Sequence, residues 1–168
     1  MKTVFSLLLF TIVFNAFSQN NESYDNTTYY FIRHAEKDRR DKTNKDPHLS
    51  KKGEQRAEKW RNVFSKTTFD AIYSTPYNRT QETVQPIANA NNIELNIYDP
   101  KTQNVQQFLK DTKGKTVLIA GHSNTVPRFV NSIIGKQKYS DIDDNTNSHL
   151  YIINISNNGI FDHLLLID

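Results

Sequence analysis

Histidine and arginine side chains follow three apolar runs of the sequence, and these residue types suit the chemistry of anions. In chain order they are Arg33 and His34, Arg79, and His122. The planar guanidinium of arginine matches the oxygens of a phosphate group, while a histidine can act as a nucleophile or a charged clamp. Each residue alone is read more simply as a structural or solvated side chain. Such residues after three separate apolar runs are hard to explain as unrelated structural or solvated side chains, so we predict an anion-binding site.

Short apolar runs alternate with amphipathic stretches, which indicates how these side chains are brought together. The predicted strands cover residues 29–32, 69–73, 93–98, 116–120, 150–155 and 160–167. The predicted helices cover residues 51–65, with Ser50 as N-cap, 80–89, 104–111 and 124–134. Alternation of this kind is typical of a mostly parallel sheet with helices on both faces. We therefore predict the α/β class, a three-layer α/β/α sandwich, with an antiparallel edge hairpin turning at residues 156–159.

Ligands of such sheets bind at the carboxyl ends of the strands. The residues that follow the strands are therefore expected to share one edge of the sheet. Gly121 follows the most apolar run and precedes a helix, so backbone N–H groups could approach an anion there.

The composition narrows the functional classes. The chain has 168 residues, 21 Lys+Arg against 18 Asp+Glu, a net charge of +3 and no cysteine. This length predicts one domain. Absence of cysteine excludes disulfides, thiolate zinc sites and a cysteine nucleophile. The interspersed charges favour neither nucleic acid nor a polybasic membrane patch, so we expect a small phosphorylated substrate, and nothing indicates a protein partner.

Residues 1–18 have the pattern of a secretory signal peptide. Lys2 precedes an apolar run over 4–17, which at fourteen residues is shorter than the about 20 needed to span a bilayer. We predict cleavage between Ser18 and Gln19, a flexible lead-in over 19–28 and a domain over 29–168. The protein would then be exported, periplasmic or secreted, without a stable membrane anchor. A buried helix or an uncleaved anchor are the alternatives.

Four segments, in order, resemble the motifs of the histidine phosphatase superfamily, and the short chain is most similar to its small SixA-like members. They are residues 33–37 (RHAEK), 49–57 (LSKKGEQRA), 74–83 (STPYNRTQET) and 121–123 (GHS). The resemblance covers most of residues 29–168. It implies the phosphoglycerate-mutase-like fold and a metal-independent phosphatase without a cofactor.

The resemblance also implies roles for the residues at the strand ends. His34 would attack phosphorus in line and form a phosphohistidine that water hydrolyses. Arg33, Arg79 and His122 would hold the phosphoryl oxygens, with His122 cationic once phosphate is bound, and stabilise the transition state. A zinc site on the histidine pair is the alternative, but the adjacent arginines disfavour it.

Two carboxylates are candidates for the general acid that protonates the leaving group. Asp99 follows the third predicted strand, although an aspartate before Pro100 also suits a turn. Glu36 is the rival, two residues from His34, and could equally pair with a lysine such as Lys37. If neither supplies a proton, aryl phosphates and phosphoramidates should turn over much faster than alkyl phosphates.

The sequence leaves alternatives for the roles of two polar segments and for the activity of the domain. Residues 38–46 form either a lid that selects anionic substrates or a solvated loop, and residues 141–144 form a cation site, a pocket rim or a solvated turn. The sequence predicts a phosphatase acting on phosphomonoesters or phosphoramidates. The alternative is a catalytically weak or inactive domain of the same fold that binds phosphorylated ligands.

Overall fold

The computed structural model describes residues 26–168. The predicted signal peptide and residues 19–25 of the predicted lead-in lie outside the described residues. The described strands are β1 (Thr27–Arg33), β2 (Ala71–Ser74), β3 (Leu95–Ile97), β4 (Thr116–Gly121), β5 (His149–Ser156) and β6 (Gly159–Leu166). The described helices are α1 (Lys51–Val63), α2 (Asn78–Asn91), α3 (Val105–Asp111) and α4 (Thr125–Ile134). No helix within residues 26–168 is long and apolar enough to cross a membrane.

The strands form one mixed sheet in the order β3-β2-β4-β1-β5-β6. Neighbours from β3 to β1 run parallel, whereas β5 is antiparallel to β1 and β6 is antiparallel to β5. This confirms a mostly parallel sheet with an antiparallel hairpin at its edge. The hairpin turns at residues 157–158, and the backbone of Gly159 takes a φ of +119°, a conformation that favours glycine.

Successive residues of the central strands point to opposite faces, and helices cover both faces. On one face Phe31 of β1 packs with Phe108 of α3 and Phe129 of α4. On the other face Ile32 packs in a second cluster with Trp60 of α1 and residues of α2. Strands that are buried on both sides are apolar throughout, which explains the continuous apolar runs. The three-layer α/β/α sandwich is confirmed.

Ser50 caps α1 as predicted, since its hydroxyl accepts a hydrogen bond from the Gly53 backbone N–H. Eight of the described elements begin one or two residues from the predicted starts, and the reason is visible at two of them. Strand β2 begins at Ala71 because the Asp70 carboxylate and backbone N–H bond the start of β4 across the sheet. Helix α2 begins at Asn78 because the carboxylate of Asp46, from a distant loop, accepts the Asn78 backbone N–H. Such long-range partners leave no local pattern in the sequence.

Candidate active site

The register of the sheet brings the ends of three strands to one edge. Arg33 of β1 lies opposite Gly121 of β4, and Ser74 of β2 lies opposite Ala120 of β4. A cleft of about 750 Å³ opens at this edge. All four side chains predicted to bind an anion line it, namely Arg33, His34, Arg79 and His122. The strand ends therefore meet as expected.

The backbone of the segment after β1 is fixed on both sides. The His34 N–H donates to the Gly121 carbonyl at 2.9 Å, and the His34 carbonyl accepts from the Asn147 side chain at 2.8 Å. The next N–H, of Ala35, donates to the Thr83 hydroxyl at 2.8 Å. These bonds join the segment to β4, to α2 and to the chain before β5. The imidazole is thereby held at a fixed place in the cleft.

The ring of His34 is buried and is held in one tautomer. Its Nδ1 lies 2.7 Å from the Ala35 carbonyl, which can only accept, so Nδ1 carries the proton and Nε2 carries the lone pair. Burial lowers the pKa of His34 to about 3, against a weaker opposing effect of the Ala35 bond. The folded protein therefore presents a neutral imidazole with an available Nε2, which is the form that can attack phosphorus.

The second histidine lies beside the first, with ring centroids 5.4 Å apart. Its Nε2 is 3.0 Å from the hydroxyl of Thr75, which follows β2. Burial, together with the charges of Arg79 and Arg33, lowers the pKa of His122 to about 4. His122 is thus neutral beside these cations alone, and a bound dianion would raise its pKa.

Arg33 is almost completely buried, at 1% exposure, and is held by the loop before β5. It donates to the carbonyls of Asp143 and Thr146 at 2.7 and 2.9 Å and pairs with the Asp144 carboxylate at 2.6 Å. Asp144 also pairs with Arg39 and lines the cleft. The end of the 141–144 segment therefore forms the pocket rim that was one of its three interpretations.

Arg79 is held by different partners. Its Nη1 lies 3.5 Å from the Asp46 carboxylate, and its guanidinium carbon lies 4.4 Å from the centre of the Tyr77 ring. Asp46 belongs to the polar loop over residues 38–46, so this end of the loop packs on α2.

Both arginines keep one buried donor without a partner. Within residues 26–168, the Nε atoms of Arg33 and Arg79 are buried and make no hydrogen bond. An unsatisfied buried donor costs roughly 1–3 kcal/mol, and more when it is charged. Two guanidinium groups beside two neutral histidines leave the cleft positively charged, which suits an oxyanion.

Residues 29–100 match the family described as histidine phosphatase superfamily, branch 1. The matched segment carries Arg33, His34 and Arg79, and the fold supplies His122 at the same edge. Over this segment the chain is a histidine phosphatase superfamily sequence. The match confirms the family expected from the sequence motifs, three of which lie within residues 29–100.

Solved structures share the fold of this chain at low sequence identity. The protein histidine phosphatase SixA, complexed with tungstate, superposes with a TM-score of 0.66 and 13% identity over 83% of this chain and 96% of its own. A candidate SixA from Agrobacterium tumefaciens superposes with a TM-score of 0.58 and 21% identity over 84% of this chain and 96% of its own. Phosphoserine phosphatase from Entamoeba histolytica, complexed with 3-phosphoglyceric acid, superposes with a TM-score of 0.62 and 18% identity over 84% of this chain and 95% of its own. No curated protein sequence is similar enough to count as a relative.

The two carboxylates considered as the general acid lie in different places. Asp99 lines the cleft but is exposed, and its Oδ1 accepts the Lys101 backbone N–H at 2.9 Å, as in a turn. Glu36 is not among the residues that line the cleft, and it pairs with Arg56 and Lys52 rather than with Lys37. Burial raises the pKa of Glu36, but the bonds from Arg56 outweigh it and lower the pKa, so Glu36 is a carboxylate at neutral pH.

Four residues line the cleft or contact its side chains although the sequence predicted no role for them in the site. They are Lys37, Asp46, Thr75 and Asp144. Lys37 and Thr75 lie inside the motifs that carried the resemblance, so their positions were a usable signal. Asp46 contacts Arg79, which is 33 residues away in the chain, and Asp144 contacts Arg33, which is 111 residues away. Only the fold brings those pairs together.

No group of three or more His, Cys, Asp or Glu side chains that could hold a metal ion occurs among residues 26–168.

Proposed function

We propose that this protein is an exported, metal-independent phosphatase that hydrolyses phosphomonoesters or phosphoramidates through a phosphohistidine on His34. The observation that carries the proposal is the free Nε2 of a neutral, buried His34 in a cleft with two arginines whose Nε donors lack partners. The chemistry follows from that arrangement.

In the first step the Nε2 lone pair of His34 attacks phosphorus, and the bond from phosphorus to the leaving group breaks. Arg33, Arg79 and His122 bind the nonbridging oxygens and stabilise the charge that develops on them. In the second step water attacks the phosphohistidine and releases inorganic phosphate. Most of the rate enhancement comes from positioning and electrostatics, because phosphoryl transfer leaves little covalent chemistry to the protein.

The solved structures with the same fold support the choice of ligand class. SixA is complexed with tungstate, a tetrahedral oxyanion, and the Entamoeba enzyme is complexed with a phosphorylated acid. The volume of about 750 Å³ accommodates a small phosphorylated molecule. Export rests on the pattern of residues 1–18.

Hydrolysis of p-nitrophenyl phosphate tests the proposal directly. The protein beginning at Gln19 is assayed in EDTA beside His34→Ala and a matched control, His163→Ala, which removes an exposed histidine of β6. We expect activity in EDTA that is lost in His34→Ala and retained in His163→Ala. Activity lost to EDTA would contradict metal independence. Phosphate binding without turnover in any variant would favour the inactive ligand-binding domain.

A further inference from the structure

Lys37 places an ammonium group in the cleft at a position that the backbone fixes. Lys37 forms a β-bridge with Leu49, and the flanking residues bond the same segment, with the Ser50 N–H donating to the Glu36 carbonyl and the Asp38 N–H to the His48 carbonyl, both at 2.8 Å. The side chain lines the cleft together with His34 and His122. Within residues 26–168 the ammonium makes no hydrogen bond or ion pair that would hold it elsewhere.

The charges around Lys37 favour release of its proton. Burial lowers the pKa of Lys37, Arg39, Arg79 and Arg33 lower it further, and Asp144 opposes them only in part. The influence is mutual, because Lys37 is also one of the cations that lower the pKa of His122. Lys37 is therefore a weaker base than a solvated lysine and a better proton donor.

The other acids near His34 are poorly suited to protonate a leaving group. Glu36 is ion-paired outside the cleft, and one oxygen of the exposed Asp99 is engaged in its own turn. Burial raises the pKa of Asp144, but the bonds from Arg39 and Arg33 outweigh it, so this carboxylate is ionised and holds no proton to donate. The guanidinium groups of the cleft do not deprotonate.

We propose that Lys37 is a catalytic residue that donates a proton to the leaving-group oxygen. As the bond from His34 Nε2 to phosphorus forms, the bond from phosphorus to oxygen breaks, and the ammonium of Lys37 gives that oxygen its proton. An alcohol leaves, and Lys37 becomes a neutral amine. When water attacks the phosphohistidine, the amine takes the proton of the water, phosphate departs, and His34 and Lys37 return to their starting states.

This inference rests on the proposed function, and leaving groups of different basicity test it separately. An alkoxide needs a proton far more than p-nitrophenolate does, and general acid catalysis contributes about 10²–10⁴-fold to rate. In Lys37→Gln, we expect kcat/KM for ethyl phosphate to fall by about that factor while p-nitrophenyl phosphate loses much less. Lys37→Arg should behave like Lys37→Gln on ethyl phosphate, because arginine keeps the charge but holds its proton.

The control is Lys42→Gln, which removes the same charge from an exposed position of the 38–46 loop and should leave both substrates unaffected. Equal losses on the two substrates, or rescue by Lys37→Arg, would overturn the proton-transfer role and leave the phosphatase itself standing. If the wild-type protein shows no turnover that is lost in His34→Ala, both proposals are overturned.

A second measurement needs no variant of Lys37. The alkaline limb of wild-type kcat/KM should be present with ethyl phosphate and weak or absent with p-nitrophenyl phosphate, because kcat/KM reports the step that forms the phosphohistidine and only the alkoxide needs the proton of Lys37 in that step. Identical limbs with the two substrates would contradict the proposal.

Discussion

At the scale of single residues, the chemistry proposed for His34 depends on one nitrogen that stays unprotonated in the folded protein. Burial removes the water that would stabilise an imidazolium, and the Ala35 carbonyl directs the lone pair to Nε2. The sequence predicted the histidine as a nucleophile through the resemblance of its motif. Its tautomer and its shifted pKa could not be predicted, because both depend on neighbours that the fold supplies.

The two cleft histidines should therefore not titrate in the usual range. Between about pH 8 and pH 5, we expect the ring resonances of His34 and His122 to stay constant in NMR spectra of the ligand-free protein. His48 serves as the internal control, because its hydrogen bond to Glu82 raises its pKa above 6.5. A titration of His34 near its ordinary value of 6.5 would contradict this description of the site.

The same shift links folding to pH. The unfolded chain takes up a proton at His34 near pH 6.5, whereas the folded protein does so only near pH 3. The unfolded state thus binds more protons between these values. The contribution of His34 to the free energy of unfolding is full above about pH 6.5 and decreases as the pH falls toward about 3.

At the scale of elements, the helix start at Ser50 positions the segment that carries His34. Gly53 of α1 lies against the backbone of Glu36, and a Cβ built at Gly53 would lie 2.1 Å from the Glu36 carbonyl oxygen. The glycine of the LSKKG motif is therefore required by close approach of two backbones rather than by helix propensity. This explains in physical terms why a residue that weakens helices stands in the first turn.

Gly53→Ala should consequently disturb both stability and activity. Because the clash is with backbone, α1 must move away from residues 34–36, and we expect a loss of roughly 1–3 kcal/mol in the free energy of unfolding together with reduced kcat. Denaturant unfolding and p-nitrophenyl phosphate hydrolysis measure the two effects. Gln55→Ala, at an exposed position of the same helix, is the matched control and should change neither. A fully stable and active Gly53→Ala would show that the contact is not needed.

Element boundaries also show how far the sequence could predict this fold. Apolar periodicity placed every described strand and helix, since buried strands and amphipathic helices differ in the spacing of their apolar residues. Helix α2 begins two residues before its predicted start, because the Asp46 carboxylate, from the loop that follows His34, accepts the Asn78 backbone N–H. The sequence predicts this loop as a solvated loop or a lid. Neither interpretation includes the contacts that the Asp46 side chain makes with the start of α2 and with Arg79.

At the scale of the whole molecule, the order of the strands creates the site. Strand β4 lies between β1 and β2, so the residues that follow three strands far apart in the sequence become neighbours. Alternating strands and helices predict parallel strands whose carboxyl ends share one edge, which was sufficient to predict Arg33, His34, Arg79 and His122 as one cluster, whereas the strand order was not predicted. The rim at Asp144 was not predicted as an arginine partner, because the contact joins opposite ends of the chain.

The covalent intermediate tests the central claim most directly. Wild-type protein is mixed with excess p-nitrophenyl phosphate and quenched within the first turnovers in alkali, which preserves phosphohistidine, and its peptides are read by mass spectrometry. We predict a phosphoryl group on His34, with none on the peptides of His34→Ala. Turnover with His34 unmodified, or with the phosphoryl group on another residue, would contradict the account.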